Sequence, residues 1–242
     1  MLKLIKHILV LPFEDFLSAL DRSLGKSAPV NIALVVIMFV AAWWIYVPIH
    51  ELFHAFGCML GGGTVTELAI SPKYGGSILS KFFPFVSSGS DYAGQLTGFD
   101  TGGSDLTYLL TDFLPYLLTV FIGVPLLRSA RRSAPLGASI KLGISLPIAF
   151  APFISFSGDY YEMGSIIVSR IVSTFDPSLE PSRWRSDDLF KLSDELFFSG
   201  GAYGAGDVVG VICSFILGIA LTYVTYLLGV LFSRVISGRS RS

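Results

Sequence analysis

Three histidines occur in the chain, and two of them frame the pentapeptide His50-Glu51-Leu52-Phe53-His54. On a helix, residues i and i+4 share one face, so both imidazoles can reach a single metal ion. Glu51 sits beside the first imidazole, where it can take a proton from a water that the metal holds. Zinc lowers the pKa of such a water to about 7, and a neighbouring carboxylate completes its activation. The chain has three His and six Glu, so a shuffled sequence would contain this pattern roughly once in two thousand times. The first long apolar run leads directly into the motif, and ionisable groups beside a spanning helix are costly enough to mark function.

Two histidines leave a catalytic zinc site one protein ligand short, with the last position open to water. The remaining histidine, His7, lies in the N-terminal arm, on the cytoplasmic side by the count of basic residues. A carboxylate is therefore required. Asp159 follows the apolar run that ends at Ser157, within Ser157-Gly158-Asp159-Tyr160-Tyr161-Glu162. The first and third apolar runs would cross in the same direction, which brings His50 and Asp159 to the same depth. Glu162, at i+3 on the same face of a continuing helix, is the alternative. Asp112 is a further intramembrane acid, read either as a hydrated boundary residue or as a partner holding a ligating histidine.

The elements that must position these groups belong to a membrane protein. Of 242 residues, 52% are hydrophobic and 14% charged, against roughly 25% charged in a soluble domain. A net charge of −1 offers no field for nucleic acid. A spanning helix needs about 20 mostly apolar residues, and four segments qualify: 30–49, 106–127, 139–157 and 207–232. The expected fold is an α-helical polytopic membrane protein of about four spans. Residues 1–28 read as an amphipathic interfacial helix, with Leu2, Ile5, Leu9, Phe13, Phe16, Leu20 and Leu24 as its apolar stripe and a break or bend near Pro12. An ordinary helix packed on the bundle is the alternative. Residues 29–173 form the membrane core, 174–205 an extracytoplasmic loop, and 206–242 the last span and a basic tail. Within the loop, Ser186 to Phe198 reads as a short helix capped by Ser186 and ended at Gly200-Gly201. Basic residues gather in the arm (Lys3, Lys6, Arg22, Lys26), between the second and third spans (Arg128, Arg131, Arg132, Lys141) and in the tail (Arg234, Arg239, Arg241). That distribution places both termini in the cytoplasm and the loops 61–105 and 176–207 outside. Cys58 and Cys213 read as two small buried hydrophobes.

His50 to Val65, HELFHAFGCMLGGGTV, resembles the zinc-ligand region of the M50 family, the site-2-protease class of intramembrane metalloproteases. In that family a helix carrying the motif is followed by small residues and a short β-rich segment. Here Gly61-Gly62-Gly63 precedes a strand over 64–70; a turn over 71–76 and a return strand over 77–83 complete an expected β-hairpin. Tyr92-Ala93-Gly94-Gln95-Leu96-Thr97-Gly98 is similar to the Ala-Gly stretch of the M50B-like branch. The family's third ligand is an Asp near the end of a later span, often preceded by Pro, and Pro152 and Asp159 match that spacing. The resemblance covers residues 46–98 and 149–166. It departs where better-known members carry an Asn before that Pro and a Gly after the Asp; here Ala149 and Tyr160 stand there. Asn31 is the only asparagine and lies at the far end of the first span, which leaves Tyr160, Tyr161 or a backbone N–H to stabilise an oxyanion.

The resemblance implies a membrane-embedded zinc endopeptidase of a bacterial inner membrane, acting on a membrane protein or peptide. His50, His54 and Asp159 would hold Zn2+ and Glu51 would act as the base. An extended substrate could add to an edge of the β-segment. A non-proteolytic scaffold or regulator that retains the metal site is the alternative, and a metal transporter a more distant one, since the chain has one site and no repeat.

Overall fold

The structure is a computed structural model that describes residues 2–25, 28–198 and 204–239. Lys26, Gly200, Gly201 and Arg241, named above, lie outside the described residues.

Helix α1 (Leu2–Leu24) runs through Pro12 without a break. Its buried positions are Leu11, Pro12, Asp15, Ala19 and Ser23, close to one residue per turn, and they face the bundle. Ile5, Leu9, Phe13 and Leu17 form an exposed apolar stripe instead. The expected break is absent because Pro12 packs on the protein, which offsets the loss of one helical hydrogen bond. Of the expected stripe, Ile5, Leu9 and Phe13 are exposed, whereas Phe16 and Leu20 pack against the core. Asn31 Nδ2 donates to the Ser23 carbonyl at 2.7 Å and ties the end of α1 to the next helix.

Helix α2 (Ala28–Leu60) contains the whole first apolar run and the histidine motif. After it come β1 (Thr64–Ile70), a short helical turn α3 (Gly76–Leu79), β2 (Val86–Ser88) and β3 (Gly94–Asp100). The sheet order is β2-β1-β3, with β2 parallel and β3 antiparallel to β1. The expected hairpin is thus corrected: β1 forms as read, but residues 77–83 make no return strand. Gly75 and Gly76 open a helical turn, and Phe83 and Phe85 stack successively toward Phe56 of α2. Burying those rings outweighs the period-two pattern. Residues 71–85 become the crossover that a parallel neighbour requires.

The second apolar run is a segmented descent. It comprises α4 (Asp105–Phe113), a 3-10 turn (Leu114–Tyr116), a π turn (Thr119–Gly123) and α5 (Val124–Ala130). The third is shorter than expected. Helix α6 (Pro135–Ala149) stops, and α7 (Ala151–Ile154) is a single turn before Ser155. Pro152 has no N–H for the Ile148 carbonyl four residues back, and Thr119 Oγ1 donates to that carbonyl at 2.6 Å instead. Helix α8 (Asp159–Phe175) follows, then α9 (Leu189–Ser193), which continues as a π turn to Phe198, and α10 (Ala205–Arg239). Asp188, not Ser186, caps α9, accepting from the Phe190 and Lys191 N–H groups.

Three helical stretches are long and apolar enough to cross a membrane: Ala28–Leu60, Asp105–Ala130 and Ala205–Gly238. The protein is therefore a helical protein of membrane type, with three such helices among the described residues rather than four. Helices α8 and α10 pack closely at glycines: a β-carbon on Gly164 would meet the Ser214 carbonyl, and one on Gly218 the Tyr160 carbonyl. Small residues of this kind let helices approach to backbone contact. That contact fixes the first turn of α8, where Asp159 stands. Cys58 is buried as expected, whereas Cys213 is exposed on α10.

Candidate functional site

His50 and His54 project from one face of α2, and their Nε2 atoms are 3.2 Å apart. Asp159 Oδ2, at the start of α8, lies 3.7 Å from His50 Nε2 and 3.6 Å from His54 Nε2. Three ligand atoms at about 2 Å from a tetrahedral zinc ion would stand about 3.3 Å from one another. The triangle is within a few tenths of an ångström of that, so the residues fit the ion that the motif implies. Among the described residues, His50, His54 and Asp159 are the one group of three able to hold a metal. Glu162 is not in it, and His7 is exposed on α1.

Each ligand is held by a partner outside the motif. His54 Nδ1 is 2.8 Å from the Thr111 carbonyl, which can only accept, so this nitrogen carries the proton and Nε2 keeps its lone pair. The carbonyl reaches so close because α2 presents Gly57 and Gly61 to α4. A β-carbon on Gly57 would overlap the Leu110 carbonyl, and one on Gly61 would crowd Thr107. His50 Nδ1 is 2.7 Å from the Tyr46 hydroxyl, one turn back on the same helix. The Tyr116 hydroxyl, delivered by the 3-10 turn at Pro115, donates to Asp159 Oδ2. Burial alone would push the Asp159 carboxyl up; the His54 and His50 imidazoles and the Tyr116 hydroxyl outweigh it and hold the group at about 2. Tyr46 could have been found from its i−4 spacing to His50. Thr111 could not, because a backbone carbonyl leaves no trace in residue type.

Glu51 points toward β3. A β-carbon on Gly94 would overlap its side chain, so the strand passes over the carboxylate with only a hydrogen between them. Gly94, Gln95 and Leu96 line a cavity of about 600 Å³ together with Glu51 and the His-His-Asp cluster. Asp112, Glu162, Tyr108 and several residues between 182 and 195 of the segment before α10 also line it. Glu162 accepts from the Tyr108 hydroxyl at 2.8 Å. Burial pushes the Glu162 carboxyl up to about 7; the Tyr108 hydrogen bond pulls the other way and the Asp159 charge adds to the rise. Asp112 touches neither histidine, and the carbonyl of Thr111 takes the supporting role considered for it.

Tyr160 and Tyr161, the expected oxyanion donors, are fully buried and turned away. Tyr160 donates to Thr225 at 2.8 Å and Tyr161 to the Trp184 carbonyl at 3.0 Å. The segment 176–198 is fastened over the cavity by side chains. Arg183 pairs with Asp207, Arg185 Nη2 lies 3.1 Å from Asp105 Oδ1, and the Trp184 ring lies against Gly210, leaving no room there for a β-carbon.

Fold and cluster together define a helical protein of membrane type that carries a candidate metal centre beside an edge strand. A scan against protein-family models, a search of curated proteins and a search of solved structures each find no match for the chain.

Proposed function

We propose that the protein is a membrane-embedded zinc endopeptidase of the M50, site-2-protease type, which hydrolyses peptide bonds of membrane-associated proteins or peptides. The observation that carries this reading is the position of Glu51. Its carboxylate lies beside a donor triangle with zinc-like spacing, inside a cavity walled by the edge of a β-sheet. Zinc held by His50, His54 and Asp159 would supply a Lewis acid that polarises the scissile carbonyl and acidifies water.

The chain's own residues carry the rest. Glu51 takes a proton from the attacking water and passes it to the leaving amine. Gly94 leaves that carboxylate room to face the cavity. A helical substrate hides its carbonyls in hydrogen bonds, so it must unwind before cleavage. β1 already has a neighbour on each side, and of the two edge strands β3 is the one that lines the cavity, so its outer edge would receive an extended segment. The oxyanion donor is then a backbone N–H, since Tyr160 and Tyr161 are turned away. With the shorter apolar helix α6 counted as a fourth crossing, the basic residues of the arm, the loop at 128–141 and the tail support a cytoplasmic placement of both ends, with the sheet and the segment 176–198 outside.

The test is zinc content and cleavage of a membrane-protein substrate in detergent micelles. Glu51→Gln is expected to keep zinc while cleavage falls about 100- to 10,000-fold. Full zinc with undiminished cleavage would refute the base assignment. A protein without zinc would refute the class.

A further inference from the structure

Beyond the zinc-binding triangle, the cavity holds a second group of charges that catalysis does not use. Asp112 and Glu162 both line it, each 5% exposed. Glu162 spends one oxygen on the Tyr108 hydroxyl. Asp112 Oδ2 has no hydrogen-bond partner among the described residues, although it is buried. A buried carboxylate oxygen without a partner is costly, and the residue that carries it lines the cavity. Arg185 lies beside the pair with its guanidinium 4.7 Å from the centre of the Tyr108 ring, but it bonds to Asp105. The charge of the whole cavity points the same way. Six carboxylates line it against two basic side chains, Arg185 and Lys191.

We infer that Asp112 and Glu162 form a subsite for a basic side chain of the substrate, a lysine or an arginine next to the scissile bond. The inference rests on the proteolytic reading and deepens it. Glu162 is one turn of α8 beyond Asp159, about 5 Å along the axis. An extended peptide advances about 3.3 Å per residue, so the basic residue lies within one or two positions of the bond that is cut. An ammonium group there completes Asp112, and a guanidinium can bridge both carboxylates. A neutral apolar side chain leaves Asp112 without a partner and is discriminated against.

The experiment uses the full chain with Glu51→Gln, zinc-loaded, in detergent micelles, so that peptides bind without being cut. The probes are fluorescent decapeptides of Ala, Leu, Val and Gly, with one lysine or one norleucine moved through every position. Fluorescence anisotropy gives each affinity. At one position lysine is expected to bind at least about tenfold tighter than norleucine. That advantage is expected to fall below about threefold when Asp112→Asn or Glu162→Gln is added. Zinc content and melting temperature of each double variant report whether it is folded, and one folded double variant is enough to decide the matter. No position with a lysine preference, or a preference that survives both substitutions, overturns the subsite. So does a second metal equivalent in the parent that Asp112→Asn removes, which would make this a cation site. If the lysine preference holds but the wild-type protein cuts none of these peptides nor a membrane-protein substrate, the subsite stands and the protease reading fails.

Discussion

Around His50 and His54, each imidazole nitrogen has a neighbour: Tyr46, Thr111, the other histidine and Asp159. One turn outward, around Asp112 and Glu162, the same cavity leaves a carboxylate oxygen and the Arg185 Nε without one. The inner half is built from close contacts at glycines: Gly57, Gly164 and Gly218 meet backbone alone, Gly61 meets Thr107, and Gly94 meets the Glu51 side chain. The outer half is closed by long side chains, Arg170 and Arg185 on Asp105 and Arg183 on Asp207. A metal site tolerates little displacement of its ligands, which suits fixed backbone contacts. A site that admits different peptides needs groups that can repack and that keep unspent hydrogen-bonding capacity.

This contrast can be broken by substitution. Asp159→Ala has the largest expected effect: zinc falls from about one per chain to a small fraction of that, and cleavage becomes undetectable, because two histidines alone do not make a catalytic site. Metal analysis by mass spectrometry reads it. If Glu162→Ala released zinc while Asp159→Ala did not, the inner and outer halves would have to exchange roles. Gly94→Val comes next. It pushes Glu51 off its position, so cleavage is expected to drop about 100-fold with zinc retained, the loss of a positioned general base. Zinc lost in step with activity would mean that the strand supports the ligands rather than the base.

Tyr116→Phe removes the hydrogen bond to Asp159 and is expected to weaken zinc affinity about 10- to 100-fold, measured by competition with a chelator. Arg170→Ala removes an exposed pair from the outer half and is expected to leave cleavage within about twofold. Equal losses in these last two would erase the distinction between the halves.

The sequence carried the reactive residues better than their supports. His50, Glu51, His54 and Asp159 were legible because side-chain chemistry and helical spacing name them directly, and the structure brings the three ligand candidates to one point. Thr111 acts through its carbonyl, which any residue could supply. Tyr116 depends on a 3-10 turn at Leu114–Tyr116 that no periodicity announces. The long apolar helices were legible by length and composition. The third run was not, because its ending rests on Pro152 and on a threonine far away in the chain that takes the orphaned carbonyl. The strand at 64–70 was legible from its β-branched residues. Its partners were not, since Phe83 packs on Phe56 and Phe85 on Phe83 rather than alternating in a hairpin.

One buried group near the start of the chain sets an order of assembly. Asp15 is fully buried on α1; Arg128 and Arg131 of the 124–131 region bond to it, and so does the Tyr226 hydroxyl of α10. The tyrosine is made 211 residues after the aspartate. At ordinary rates of synthesis that is a delay of roughly 10 to 40 s. Through that interval the carboxylate has nothing of its own chain to neutralise it until the arginines emerge, and nothing to seal it until the last helix does. The N-terminal helix therefore receives its last polar partner only when the last helix is made, and a chain truncated before Tyr226 would hold Asp15 by the two arginines alone.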